Sequence, residues 1–234
     1  YTRSYIDDLI VLLDAKTGIP LFEKSLIEIL KNNNYHAFAF GMNGAIKDQM
    51  SKHDPTHLND IEPVLNSGKY SKAGDVWISM RNNSTVFLYR PSTNKIIHLL
   101  NGPLIHQHDV DILNDSVISI FNNNYITHQR ADECYKNGRV DTLKSAQIVT
   151  YNLASKSFNT VLKKELIKQR IHTPTEGLLE FSKNGHLYLE AQNNGKLYFY
   201  KNDTLECQKY FNNDIKGYTE VPHWIRIYKD LDFK

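Results

Sequence analysis

Two histidines and one arginine are the residues of this chain best suited to chemistry on a small anion. His57 and His108 each lie at the head of a strand-like run, and Arg81 ends another such run. A neutral imidazole is a competent nucleophile and proton acceptor near neutral pH. A guanidinium offers a planar fork of N–H donors to two oxygens of a sulfate or phosphate group. The three side chains therefore suit the binding or the transfer of an anionic group.

A metal site is the alternative chemistry for part of this set. His106 and His108 are two residues apart and face the same side of an extended strand, as a His-x-His metal pair does. No third ligand with suitable spacing follows, and Cys134 and Cys207 lack the spacing of a zinc site. We therefore expect no bound metal.

The composition argues against several classes of partner. The 234 residues carry a net charge of +2, which gives no reason to expect a nucleic-acid partner. No apolar run approaches the roughly 18 residues that a membrane-spanning helix needs, so we expect no membrane span. The chain opens on Tyr1 without a charged-then-apolar leader, from which we expect a processed form or a fragment. The oligomeric state stays open.

The elements that must position these residues are short β-type runs separated by Asn, Gly, Asp and Ser turns. One order recurs, an inner strand, a second strand and a hairpin, over about 50–65 residues as in a four-stranded propeller blade. A β-sandwich is the alternative, but it does not require this constant order. The sequence predicts an all-β protein, a β-propeller of four-stranded antiparallel blades forming one domain over residues 1–234. The predicted units are a partial one at 1–35, then 54–102, 104–166 and 173–213, and a closing strand at 223–230.

A propeller would bring distant residues of this chain together. In each blade the inner strand starts, and the second strand ends, on the same face of the disc. His57, His108 and the pair Thr175–Glu176 open inner strands, whereas Arg81 and Asn122 end second strands. We therefore expect these polar side chains at one mouth of the central channel.

Several segments together resemble one known family, the arylsulfotransferase-type propeller proteins. The segments are DPTHLNDIEPV, GDVWISMR and QHDVDILNDSVISIFNNN, with the order His-x-Asn, Ser-x-Arg, Gln-His-Asp and Ile-Phe-x-Asn. The similarity extends over roughly residues 5 to 230 and is most specific over 54–124. It implies a parent of about six blades, of which this chain is the C-terminal, incomplete portion, with a further family histidine N-terminal of Tyr1.

The resemblance also implies an activity and the residues that perform it. Members move a sulfuryl group from an aryl sulfate to a phenol through a transiently sulfated histidine, with no nucleotide donor and no cofactor. By position, His108 matches that nucleophile, His57 a second active-site histidine and Arg81 the arginine that holds the sulfate. Asp109 and Asn59 are both candidates to orient an imidazole. The remaining candidates, which we assign to substrate binding, are Asn59, Asn122, Thr175 and Glu176.

Two other functions stay open beside sulfuryl transfer. The first is a non-catalytic propeller that binds an anionic small molecule or a protein partner, which the QHD triplet at 107–109 favours because the catalytically proven branch carries QHT. The second is a lyase or hydrolase on the same scaffold that uses a divalent ion. The resemblance favours a periplasmic or secreted location.

Overall fold

The strands of this chain assemble into blade-like sheets. The computed structural model describes residues 5–41, 54–125, 145–182, 185–216, 218 and 220–223. Within these residues there are three four-stranded antiparallel sheets and one two-stranded sheet, each with its strands in chain order. The predicted all-β class, with blades of the propeller type, is confirmed. The predicted closing strand lies outside the described residues, apart from His223.

The strand bounds are as follows. The two-stranded sheet pairs β1 (Leu9–Leu13) with β2 (Pro20–Ser25). The first four-stranded sheet contains β3 (Leu58–Pro63), β4 (Val76–Met80), β5 (Thr85–Arg90) and β6 (Lys95–Leu100). The second contains β7 (His108–Asn114), β8 (Val117–Asn122), β9 (Gln147–Asn152) and β10 (Ser157–Val161). The third contains β11 (Leu178–Phe181), β12 (His186–Ala191), β13 (Lys196–Lys201) and β14 (Thr204–Tyr210).

The chain divides into two compact units. Unit 1 comprises residues 1–122 and 149–159, and unit 2 comprises residues 123–148 and 160–234. Unit 1 contains the first four-stranded sheet and most of the second, and it contains His57, Arg81 and His108. Unit 2 contains the third sheet and the short helix α2 (Lys163–Lys168).

The core of unit 1 follows from the two-residue period of β4 and β5. Trp77 and Leu88 face a cluster that includes Val110 and Ile118 of the neighbouring sheet. Residues one position away on the same strands, such as Ile78, face the opposite cluster around helix α1 (Leu26–Asn32). Because alternate side chains point to opposite faces of a strand, both faces of a central blade must be apolar. This alternation leaves the polar ends of the strands to form the site.

Helix α1 begins directly after β2. Ser25 is the N-cap, and its hydroxyl accepts a hydrogen bond from the amide N–H of Glu28 over 3.0 Å. A cap of this kind contributes about 1 kcal/mol. Leu26, Ile29 and Leu30 of the helix are fully buried against the first four-stranded sheet.

A buried ion pair joins Asp75, just before β4, to Arg90, the last residue of β5. Arg90 donates from Nε and Nη2 to the two carboxylate oxygens of Asp75 over 2.8 and 2.7 Å, and Lys72 donates its backbone N–H to the same carboxylate over 2.8 Å. The side chain of Asp75 is only 2% exposed. Burial raises the pKa of Asp75, but the hydrogen bonds from Arg90 and Lys72 outweigh it and hold the pKa below the ordinary 3.8.

We expect the Asp75–Arg90 pair to make the stability of the protein fall in acid. Because the pKa of Asp75 is lower in the folded protein than in the unfolded chain, the unfolded chain binds the proton first. The stabilisation is therefore complete above the unfolded pKa and is lost as the pH falls through the folded value. Urea unfolding at a series of pH values should show Asp75→Asn about 2–3 kcal/mol less stable at neutral pH, the value of a hydrogen bond to a charged group.

The same variant should converge with the wild type in acid. The exposed carboxylate of Glu23 on β2 provides the control, because Glu23→Gln should leave both the neutral stability and the pH dependence unchanged. A gap between Asp75→Asn and wild type that persists undiminished at the lowest pH would contradict this account.

Candidate active site

The two candidate histidines lie at the start of the inner strands in successive blades of unit 1, offset by one position. The carbonyl of His57, just before β3, accepts a hydrogen bond from the N–H of Arg81 over 3.0 Å, one position beyond the pair Leu58–Met80. His108 is the first residue of β7, and its pair with Phe121 corresponds to the pair Leu58–Met80 of the preceding blade. His57 therefore precedes its inner strand, His108 begins its own, and Arg81 follows the second strand of its blade.

Both inner strands carry a β-bulge beside their histidine. The register shifts between Leu58 and Asp60 on β3, and between His108 and Val110 on β7. A bulge inserts one unpaired residue and changes the direction of the neighbouring side chains. The backbone is also in the left-handed region at four non-glycine residues of these loops, which are His57, Ser84, His106 and Asp109, with φ of 49°, 49°, 52° and 46°. Such conformations are costly for residues with a Cβ and concentrate at functional sites.

Gln107 attaches the loop that carries His108 to the turn that carries Arg81. It is fully buried, and its Nε2 lies 3.0 Å from the carbonyls of both Met80 and Thr85. Those two residues flank the turn at 81–84, which joins β4 to β5. The N–H of His106 also donates to the hydroxyl of Ser84 in the same turn, over 3.1 Å. These contacts bring the backbones around His108 and Arg81 together.

The hydrogen bond at His108 determines which of its nitrogens carries the lone pair. Nδ1 of His108 lies 3.2 Å from the carbonyl oxygen of His106. A carbonyl only accepts, so Nδ1 must donate, and the lone pair of the neutral ring then lies on Nε2. His108 is 8% exposed, so the solvent reaches little of the ring.

His57 and Arg81 belong to one closed set of hydrogen bonds. Asp54 accepts from the N–H of His57 over 2.9 Å and contacts its Nδ1 over 2.5 Å. The carbonyl of Asp54 accepts from Nδ2 of Asn82 over 2.6 Å, and Oδ1 of Asn82 accepts from Nη1 of Arg81 over 3.0 Å. The set closes through the bond from the N–H of Arg81 to the carbonyl of His57. These hydrogen bonds join the loop that carries the imidazole to the turn that carries the guanidinium.

Comparison with known proteins assigns the family. The model of the arylsulfotransferase (ASST) family matches residues 2–211. The chain belongs to the arylsulfotransferase family. The predicted family is thus confirmed.

The similarity of this arylsulfotransferase-family chain to a solved structure is weaker. A solved structure, described as a functionally unknown protein from Desulfotomaculum acetoxidans DSM 771, is similar at a TM-score of 0.40 and 12% sequence identity. The match covers 66% of this chain and 42% of that protein, so the chain spans less than half its length. No curated protein matches the chain significantly.

Two of the predicted substrate-binding residues, Asn59 and Asn122, bind backbone groups of nearby loops. Asn59 is the unpaired residue of the β3 bulge, and its Nδ2 donates to the carbonyl of Gln107 over 2.7 Å. Its buried Oδ1 has no hydrogen-bond partner among the described residues. Asn122 is fully buried, accepts from the N–H of Ile105 over 2.7 Å and donates to the carbonyl of Pro103 over 3.1 Å. Both amides hold the loops of the site in place.

The other two predicted residues lie in unit 2. Thr175 is exposed, and its hydroxyl accepts a hydrogen bond from Nδ2 of Asn193 over 2.8 Å. The carbonyl of Glu176 accepts from Nδ2 of Asn123 over 2.6 Å, and its buried carboxylate oxygen Oε2 has no hydrogen-bond partner among the described residues. Their place in a substrate site stays a prediction.

Sequence reasoning missed three side chains that support the histidines. Gln107 and Asp54 are described above, and the third is Asp8 before β1. Its Oδ2 accepts from the hydroxyl of Thr56 over 2.6 Å and from the N–H of Leu58 over 2.8 Å, on either side of His57. Only Asp54 left a local signal, because Asp-Pro favours a turn in which the carboxylate accepts an N–H further along the chain.

The described residues contain neither a group suited to a metal ion nor a helix suited to a membrane. No group of three His, Cys, Asp or Glu side chains in that part of the chain is arranged to hold a metal ion. Within the same residues no helix is both long and apolar enough to cross a membrane. Cys207 is an exposed free thiol, and Cys134 lies outside the described residues.

Proposed function

We propose that this protein transfers a sulfuryl group from an aryl sulfate to a phenol, with a sulfated His108 as the intermediate. The observation that carries the proposal is the bond between Nδ1 of His108 and the carbonyl of His106, because it leaves the lone pair on Nε2. An imidazole in this tautomer is a nucleophile that needs no prior deprotonation. The match to the arylsulfotransferase family supports the same chemistry.

In the first half of the reaction, His108 takes the sulfuryl group. The lone pair on Nε2 forms a bond to sulfur while the bond between sulfur and the aryl oxygen breaks. The electron pair of that bond leaves on the aryl oxygen, which receives the Nε2 proton of a protonated His57. The products are a phenol, a neutral His57 and a sulfated His108. General acid catalysis of this kind contributes roughly 10²–10⁴-fold.

In the second half, an acceptor phenol removes the group. Its hydroxyl proton passes to Nε2 of His57 while its oxygen bonds to sulfur and the sulfur–nitrogen bond breaks. The electron pair returns to Nε2 of His108, and both histidines regain their starting states. Atoms and charge balance in each half without a further reactant.

Arg81 holds the group that moves. Sulfuryl transfer resembles phosphoryl transfer, in which catalysis is mostly positioning and charge stabilisation. Arg81 is half-buried, and its contact with Asn82 fixes the guanidinium beside the turn at 81–84. Its permanent charge and planar donors fit two sulfate oxygens, a geometry that a lysine ammonium does not reproduce.

We expect the intact protein to gain one labile sulfuryl group when it is mixed with a chromogenic aryl sulfate and no acceptor. Intact mass spectrometry after rapid mixing should show this adduct, and peptide mapping under mild conditions should place it on His108. Adding a phenol should discharge the adduct and yield a new aryl sulfate.

The same experiment distinguishes the proposal from its rivals. Saturable binding of aryl sulfates with neither an adduct nor release of phenol would overturn the proposal in favour of a non-catalytic anion binder. Release of phenol that stops on chelation would overturn it in favour of a metal-dependent hydrolase or lyase.

A further inference from the structure

Asp54 is the side chain that contacts the ring of His57 most directly. Its two carboxylate oxygens take separate hydrogen-bonding positions, one toward the backbone N–H of His57 at 2.9 Å and one toward ring Nδ1 at 2.5 Å. The carboxylate is largely buried, with 18% of the Asp54 side chain exposed against 39% for His57. The ring is thus anchored on its Nδ1 side.

This anchor determines the tautomer of His57. An ionised carboxylate only accepts hydrogen bonds, so Nδ1 of His57 must carry a proton in both the neutral and the charged ring. The proton that the ring gains and loses is then the one on Nε2. Without the carboxylate, a neutral imidazole is expected to populate both tautomers.

The same residue links His57 to Arg81. The carbonyl of Asp54 accepts from Asn82, whose side-chain oxygen in turn accepts from the Arg81 guanidinium. The side chain of Asp54 thus contacts His57. The backbone carbonyl of Asp54 contacts Asn82, which in turn supports Arg81. One turn sets the relative placement of the proton-transfer group and the anion-binding group.

We propose that Asp54 is a positioning residue that holds His57 in the Nδ1–H tautomer, so that Nε2 is the atom that exchanges protons with the phenol. This assignment rests on the proposed function for its catalytic meaning, but its structural part is testable without any substrate. Asp109 and Asn59 are the two residues that the sequence suggests for such a role, and the amide of Asn59 binds the carbonyl of Gln107.

The first test is a ¹⁵N NMR measurement of the histidine rings in the intact protein. In the wild type, at a pH where the ring is neutral, His57 should show a protonated Nδ1 and an unprotonated Nε2. His57→Gln identifies the resonances. In Asp54→Ala the His57 signals should move toward a mixture of tautomers. A wild-type His57 with its proton on Nε2 would overturn the assignment, whether or not the variant folds.

Asp8→Asn is the matched control. Asp8, which precedes β1, is a second carboxylate that contacts the same loop, but it binds Thr56 and the backbone of Leu58, not the ring of His57. Its substitution should leave the tautomer of His57 as in the wild type. An equal change of tautomer in both variants would mean that the loop as a whole, and not Asp54, fixes the ring.

The second test separates the role of Asp54 in proton transfer from the sulfation of His108. A nitrophenyl sulfate has a leaving group that needs no proton, so Asp54→Ala should still form the sulfuryl adduct on His108 at close to the wild-type rate. Its discharge by a phenol, which requires proton removal at Nε2 of His57, should slow by roughly 10²–10⁴-fold. Discharge at the wild-type rate would overturn the assignment. No adduct in the wild type, with the tautomer as expected, would instead overturn the proposed function alone.

Discussion

Replacement of His108 by alanine is expected to lower sulfuryl transfer to the background rate, a loss on the order of 10⁴-fold or more. The reason is that the reaction then loses its covalent intermediate, and the donor and the acceptor phenol must meet directly. Turnover of a chromogenic aryl sulfate with a phenol, and the mass of the protein after mixing, measure the two consequences together. Both the turnover and the adduct should disappear.

Two further variants sharpen this result. His186→Ala removes a half-buried imidazole on β12, which lies 3.9 Å from Glu206, and should keep both activities. His108→Gly should recover turnover when imidazole is added, because the free ring replaces the missing nucleophile. Full activity in His108→Ala would refute the assignment of the nucleophile.

Replacement of Gln107 by leucine is expected to destabilise the protein by about 2–4 kcal/mol. Leucine nearly fills the same volume, but it removes the donor that Gln107 adds to the buried carbonyls of Met80 and Thr85, which also pair with each other between β4 and β5. The carbonyl of Gln107 itself still accepts from Asn59 in the variant. The cost therefore comes from hydrogen bonds lost at a site that is fully buried.

Urea unfolding measures this cost, and transfer kinetics measure its second consequence. Since Gln107 attaches the His108 loop to the Arg81 turn, the variant should also transfer the sulfuryl group more slowly at temperatures where it is folded. Asn66→Leu in the same unit places a leucine on an exposed position and should change neither property by much. Unchanged stability in Gln107→Leu would show that these hydrogen bonds contribute little.

The architecture of the chain could be predicted because it depends on periodic and local signals. Trp77 and Ile78 alternate along β4, and the two faces of the strand pack in two different clusters as the alternation predicts. Ser25 caps α1 through the amide of Glu28, as its position before an apolar helical pattern indicates. The motif around His57, Arg81 and His108 likewise pointed to the family that the comparison confirms.

The supporting residues of the site could not be predicted in the same way. The amide of Asn122 binds the loop at 103–105, and its role in substrate binding stays a prediction. The amide of Asn59 binds the carbonyl of Gln107, and the carboxylate of Asp54 contacts the ring of His57. These contacts could not be predicted because an amide or carboxylate can bind any nearby backbone group, and the sequence does not say which group will be near.

The sequence by itself determined the class of fold, the family and the three candidate residues for chemistry, which are His57, Arg81 and His108. These follow from side-chain alternation, turn residues and motif order. Alternation and turn residues act between near neighbours in the chain, and the order of motifs can be read directly from the sequence. The tertiary structure alone decided that Gln107 joins the His108 loop to the Arg81 turn and that Asp54 and the His106 carbonyl select the ring nitrogens. A buried hydrogen bond depends on where its two groups lie in the folded sheets. At this site the bulges and the left-handed residues determine where those groups lie.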